Sequence, residues 1–289
     1  NHQPTVISPN DFPDFLAWLP GSETVKIYEK DTQNCIKILE EAELIFTLDF
    51  NAFHRTGEME HTLAKLTAPF IMIDHHEKPH DYAAYMYSDT SYGSTCEMVY
   101  NFIAFLNKKE DIDKTIATCI YTGILTDSGS FRFPGTTGNT HRIIAELIDL
   151  GVENTQIPVL LYDNSSFSRL QLLGRALQNM KIFEEHKTSY MKLTQEELDS
   201  FNYVKGDTEG IVNYGLSIRG IVFTAIFIEN REEKIIKISF RSQGGFDVNQ
   251  FARDHFNGGG HVNAAGGRSE ASMEETVNKF EDLVRKLKL

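Results

Sequence analysis

Cysteine is scarce in this chain and poorly placed for chemistry. Cys35, Cys96 and Cys119 are the only three, and none forms a C-x-x-C pair. Their spacing excludes a zinc knuckle and their odd number a disulfide framework, and this usage suits a reducing cytoplasm. Long apolar runs are missing too. The longest largely apolar stretches, such as residues 221–228, fall well short of the ~18–20 residues that cross a bilayer, so no membrane is expected. Basic charge is in short supply, with 28 Lys and Arg against 41 Asp and Glu for a net charge of −13. A long duplex, bound chiefly by neutralising phosphates, is therefore excluded as the main partner. The chain starts at Asn1 with no basic segment running into an apolar one, so no secretory leader is read. What remains is 289 residues with 41% hydrophobic content, enough for two folded domains. An acidic excess has a second meaning as well, since carboxylates gather where divalent cations are held.

The first half alternates short apolar runs with helical patterns, the pattern of a doubly wound parallel sheet. Strands are expected at residues 5–8, 24–28, 44–48 and 70–73, with helices at 32–41 and 59–66. Helices then dominate, at 94–106 with Ser94 and Glu97 in capping-box spacing, at 112–126 with Ile112, Ile116, Ile120 and Ile124 on one face, and at 140–150, 154–162 and 165–180. The pattern next turns to α+β. Strands are read at 182–193, 222–229 and 234–241, short helices at 196–200 and 211–216, and an amphipathic terminal helix at 273–289. The expected organisation is an α/β first domain over residues 1–164, a linker helix at 165–180, and a smaller α+β domain over 181–289.

Two apolar strands run directly into acidic residues, Leu48 into Asp49 and Ile73 into Asp74, His75 and His76. In open α/β sheets this carboxyl edge is where ligands bind, so the four residues are expected to be neighbours despite their separation in sequence. Oxygen and imidazole donors without thiolate suit Mn²⁺, Mg²⁺ or Co²⁺. A single Asp at a strand end is more often a helix cap, but an Asp-His-His run beside a second acidic strand end is harder to explain that way. Asp127 is expected in the last turn of its helix, where the macrodipole disfavours a carboxylate unless a cation is near; alternatively it only opens the turn with Ser128 and Gly129. Further on, Asn257-Gly258-Gly259-Gly260-His261 is followed by small residues that read as a loop entering a helix, letting amides and an imidazole approach an anion. Upstream, Arg241 and Ser242 end a strand, with a guanidinium suited to phosphate.

Together these motifs resemble the DHH/DHHA1 phosphoesterases, and within them the oligoribonuclease/pAp-phosphatase branch called nanoRNases. Asp74-His75-His76 resembles the name-giving motif, Asp49 the single-Asp motif before it, Asp127 the later Thr-Asp-Ser/Thr-Gly motif, and residues 258–267 the GGGH-x-NAAG motif. The resemblance implies a DHH catalytic domain followed by a DHHA1 domain with the substrate cleft between them. It implies two divalent cations, Mn²⁺ foremost, with Asp49 shared between them, His75 and Asp127 completing one site, and Asp74 orienting the histidines. His76 would contact the scissile phosphate. Arg241, Ser242, Gly259, Gly260 and His261 would hold the rest of the substrate, with Arg132 as a further phosphate contact. The family's first motif, a His followed by Pro-Asp-x-Asp, is absent, and His2 lacks that context. The chain is accordingly expected to begin one βα unit late.

The implied activity is two-metal hydrolysis of short oligoribonucleotides to mononucleotides, and of 3′-phosphoadenosine 5′-phosphate to AMP, in the cytoplasm. Few cations suffice for short substrates, which agrees with the acidic balance. A homodimer is left open. The alternatives are a cyclic- or linear-dinucleotide phosphodiesterase, and a nucleotide-binding module without catalysis if the first metal motif is truly absent.

Overall fold

The computed structural model of the chain describes residues 3–287, so His2 and the last two residues of the expected terminal helix lie outside the described residues. The chain divides into two compact units, 1–164 and 165–289.

Every strand pair of the first unit is parallel. Strand β1 (Ile7–Ser8) pairs with β2 (Lys26–Ile27). After helix α1 (Thr32–Glu40) come β3 (Ile45–Leu48), helix α2 (Glu60–Leu63), β4 (Phe70–Asp74) and β5 (Tyr85–Ser88), a sheet in the order β3-β4-β5. Successive residues of β3 serve opposite faces, as a strand requires. Ile45 packs with Cys35 and Leu39 of α1 and Leu63 of α2, whereas Phe46 meets Phe102 edge-on at 6.2 Å. Helices thus cover both faces of the sheet.

Phe102 belongs to α3 (Thr95–Phe105), which is followed by α4 (Lys114–Asp127), α5 (Gly138–Asp149) and α6 (Gln156–Tyr162). Side chains of Asp113 and Thr137 cap α4 and α5 by accepting from backbone amides of the first turn. Two details differ from the sequence reading. Ser94 caps α3, but Glu97 makes no capping box; its buried carboxylate accepts instead from Thr140 at 2.8 Å. Ile112, Ile120 and Ile124 are buried in the helical core, while Ile116 is 40% exposed.

The second unit starts with α7 (Phe167–Gln178). Its strands are β6 (Lys181–Phe183), β7 (Thr188–Leu193), β8 (Phe223–Asn230), β9 (Ile235–Ser242), β10 (Gly259–His261) and β11 (Ala264–Ser269), in the sheet order β10-β11-β9-β8-β7-β6. Among the described residues of this unit only β7 and β8 pair in parallel. Residues 182–193 are therefore two strands and not one, broken at Lys187, whose φ of 44° turns the chain back into an antiparallel pair.

Helices α8 (Gln195–Ser200), α9 (Val248–His255) and α10 (Met273–Val284) complete the unit. Phe223, Phe227 and Phe240 on one sheet face pack with Phe251 and Phe280 of α9 and α10. Met191, Leu193 and Ile226 on the other face meet α7 and α8. Each fully buried side chain of this size contributes roughly 1.5–3 kcal/mol. No helix among the described residues is long and apolar enough to cross a membrane.

Candidate metal centre

The register of β3 and β4 builds the site. Leu48 pairs with Ile73, so Asp49 and Asp74 follow side by side at the carboxyl edge, and the Asp49 amide donates to the Ile73 carbonyl at 3.2 Å. Asp49 has a φ of 65°, a left-handed backbone that costs a non-glycine residue about 1–2 kcal/mol. Strain of this kind concentrates at functional sites. Thr95, first residue of α3, donates its hydroxyl to Asp49 Oδ1 at 2.7 Å and fixes the carboxylate's direction.

His75 is buried and its tautomer is set from behind. Its Nδ1 lies 3.0 Å from the Tyr92 carbonyl, which can only accept, so Nδ1 carries the proton there. Nε2 is turned to Asp127 Oδ2 at 3.2 Å and Asp49 Oδ1 at 3.5 Å. A backbone-anchored imidazole with Nε2 directed at carboxylates is the arrangement metal-ligating histidines adopt. Asp127 is the last residue of α4. Burial pushes its carboxyl up to about 6; the facing His75 ring pulls it down, and the Asp49 charge pushes it back up. Two carboxylates and the negative end of a helix meeting at one ring are mutually unfavourable, and a cation between them removes the conflict.

The ligand atoms of Asp49, His75 and Asp127 lie within 4.8 Å of one another, as do those of Asp49, Asp74 and His76, so Asp49 belongs to both groups. Cys96 is near, yet burial and the charges of Asp49 and Asp127 push its thiol up to about 12, which keeps it protonated and leaves the donor set hard. Carboxylate oxygens and imidazole nitrogens fit Mg²⁺, Mn²⁺ or Co²⁺. Asp74 is fully buried and accepts from the His76 amide at 2.7 Å and from its Nδ1 at 2.9 Å. Burial pushes the Asp74 carboxyl up, but the His76 hydrogen bonds and charge outweigh it and hold it below the usual range.

Arg132 is exposed on the turn after α4, its Nε donating to the Gly129 carbonyl at 2.7 Å. In the second unit the glycine motif departs from the sequence reading. Residues 259–269 form the β10-β11 hairpin and not a helix entrance, and the Gly260 amide donates to Asn249 Oδ1 at 2.9 Å. Its glycines serve close packing: a Cβ on Gly258 would lie 1.9 Å from the Gly266 carbonyl oxygen. Gly259 pairs with Gly266 on the facing strand.

Ala264 pairs with His261 on one side and Arg241 on the other, which brings those two residues into one row across three strands. Burial pushes the Arg241 guanidinium down, opposed by Glu209, and its Nη1 donates to the Phe240 carbonyl at 2.9 Å. Ser242 is buried, donating to the Phe246 carbonyl at 2.6 Å and accepting from Asn263 Nδ2 at 2.8 Å, so its hydroxyl braces the hairpin turn.

Three residues of the centre escaped the sequence reading. Asn51, 2% exposed, donates its amide to the carbonyls of His76 and Glu77, both at 3.1 Å. Its place two residues past a strand-end Asp was the available signal. Thr95 was visible only as the neighbour of a capping serine, and Arg55, beside His76, had no signal.

Parallel strands ending in this carboxylate and imidazole cluster, with a separate mixed-sheet unit after it, define a DHH-type architecture. The chain matches the DHH family, N-terminal domain, over residues 7–124 and the DHHA1 domain over residues 189–288. It belongs to the DHH/DHHA1 family. It is 32% identical over 219 residues to the bifunctional oligoribonuclease and PAP phosphatase NrnA of Bacillus subtilis, covering 75% of this chain and 67% of that protein. Against the Thermus thermophilus protein of the same name it is 34% identical over 202 residues, 68% of this chain and 57% of that one. Its fold superimposes on an exopolyphosphatase-related protein from Bacteroides fragilis with a TM-score of 0.92 and 41% identity, over 98% of this chain and 82% of that one.

Proposed function

We propose that this protein is a metal-dependent phosphoesterase that hydrolyses short oligoribonucleotides to mononucleotides and 3′-phosphoadenosine 5′-phosphate to AMP. The observation that carries the reading is the convergence of Asp49, His75 and Asp127, from three separate elements, on one small volume. In this reading Asp49, His75 and Asp127 would hold divalent cations, with Mn²⁺ foremost among the ions this oxygen and imidazole set suits. Such ions lower the pKa of water and stabilise charge on the oxygens around phosphorus.

The chain's own residues do the rest. The Tyr92 carbonyl and the Thr95 hydroxyl hold His75 and Asp49 in orientation before any ligand arrives. Asp74 keeps the His76 ring fixed. In the second unit Arg241 and His261, aligned across the sheet, would bind nucleotide, and Ser242 with the glycines shapes the hairpin that carries His261. The net charge of −13 favours short substrates over long polyanions, and the names of the Bacillus and Thermus relatives support the same choice.

The test is product release by the full-length protein with Mn²⁺ from a diribonucleotide and from 3′-phosphoadenosine 5′-phosphate, followed by chromatography. AMP from either substrate is expected, with loss on chelation. A protein that releases nothing from both, yet holds AMP equally well in chelator, is a binding module and refutes the reading.

A further inference from the structure

The turn after β3 carries a cation that the reading above leaves unused. Arg55 lies on the helical segment Phe53–Met59 and is exposed. Among the described residues, its guanidinium makes one hydrogen bond, from Nη2 to Nε2 of His76 at 2.9 Å. A guanidinium only donates, so Nε2 accepts and the ring proton sits on Nδ1, where Asp74 Oδ2 takes it at 2.9 Å. In this arrangement the donors run from Arg55 to His76 to Asp74. In it His76 has no N–H left to offer a phosphate oxygen, while Arg55 keeps the others of its five donors.

The placement is braced. Asn51 ties the backbone of His76 and Glu77 to the start of the same turn, and the His80 amide donates to the Asn51 carbonyl at 2.9 Å. Within the turn, the Arg55 amide donates to the Ala52 carbonyl at 3.1 Å and the Thr56 hydroxyl to the Phe53 carbonyl at 2.7 Å. The backbone that carries the imidazole is therefore tied to the start of the turn that carries the arginine.

We propose that Arg55, and not His76, is the group of the first unit that grips the substrate phosphate, with His76 and Asp74 as positioning residues behind it. The inference rests on the phosphoesterase reading and names the residue beside the metal centre that meets the phosphate. A planar guanidinium can offer two parallel N–H groups to its oxygens.

The test compares wild-type, Arg55→Gln and Arg55→Lys protein by calorimetric titration with AMP and with adenosine in the presence of Mn²⁺, alongside steady-state kinetics on a diribonucleotide. Arg55→Gln is expected to weaken AMP binding at least about tenfold, the scale of a charged hydrogen bond, and to raise KM in proportion. Adenosine binding and Mn²⁺ stoichiometry stay the same. Arg55→Lys recovers only part of the loss, because a point charge lacks the fork. Nitrogen NMR of labelled histidine, assigned with His76→Gln, should show the Nδ1–H tautomer at His76 in the wild type. A wild-type His76 in the Nε2–H form, or Arg55→Gln protein that binds AMP as tightly as wild type, overturns the proposal. If AMP binds through Arg55 but no substrate is cut, the functional reading fails and the phosphate assignment stands; no AMP binding by wild type overturns both.

Discussion

Replacing Asn51 by alanine should unfasten the Asp-His-His loop. Its amide donates to two carbonyls, those of His76 and Glu77, each at 3.1 Å, from a side chain only 2% exposed. Each lost bond removes about 1 kcal/mol net, and leaving its acceptor short in a buried place raises the cost to ~1–3 kcal/mol, so the pair amounts to about 2–6 kcal/mol. For a unit of this size, with ~2–4 °C of melting shift per kcal/mol, Tm should fall by about 4–24 °C. Calorimetric melting measures this directly. The same release lets His75 drift from Asp49 and Asp127, so Mn²⁺ affinity should drop by about 10–100-fold, as it does when a ligand loses its outer support. Asn51→Asp has nearly the same shape but sets a carboxylate against two carbonyl oxygens, so at neutral pH it should be worse than alanine. If Asn51→Ala melts with the wild type and binds Mn²⁺ equally well, the two bonds hold nothing together and the account of the loop is wrong.

Other perturbations separate the two units. His75→Ala and Asp127→Asn should each abolish turnover and reduce the Mn²⁺ bound per chain while leaving the melting of the second unit unchanged; retained activity in either refutes the ligand assignment. Gly258→Ala puts a methyl 1.9 Å from the Gly266 carbonyl oxygen, which should disrupt the hairpin and raise KM through His261 with Mn²⁺ binding intact, and unchanged kinetics would show the hairpin idle. Burial pushes the Glu281 carboxyl up, but the Tyr190 hydroxyl, Lys181 and Arg285 outweigh it and hold it below the ordinary glutamate value. A depressed folded value stabilises above the unfolded value of about 4.3 and is lost as pH falls through the folded one. Glu281→Gln should therefore destabilise the second unit at pH 7 and flatten its acid unfolding below about pH 4.3; a variant with the wild-type acid profile would refute this linkage.

The strand-end residues were legible because two physical signals coincide there. Apolar runs of strand length end on acidic residues, and parallel pairing requires those ends to meet. Tyr85–Ser88 was not legible as a strand, since Tyr85 and Met86 are exposed on an edge and show no buried alternation. Ile116 fits the helical period of its neighbours, yet remains 40% exposed on α4. The glycine motif was read as a helix entrance because small residues suit both a tight helix start and a tight hairpin. Only the pairing of Gly260 with Ala265 and of Ala264 with Arg241 decides between them. Asn51 and Arg55 act on partners more than twenty residues away, and local sequence carries no record of such contacts.

Asp49 carries a consequence for any attempt to improve this protein. Its left-handed backbone and its opposition to Asp127 both work against the ion-free fold. Glycine adopts that φ without strain and brings no charge, so Asp49→Gly should yield a chain that resists heat at least as well as the natural one while binding no ion. A library sorted only for thermostability would enrich for this loss, as strained functional residues are the first that stability screens discard. Metal uptake must be selected alongside heat resistance, because at this residue the two qualities pull in opposite directions.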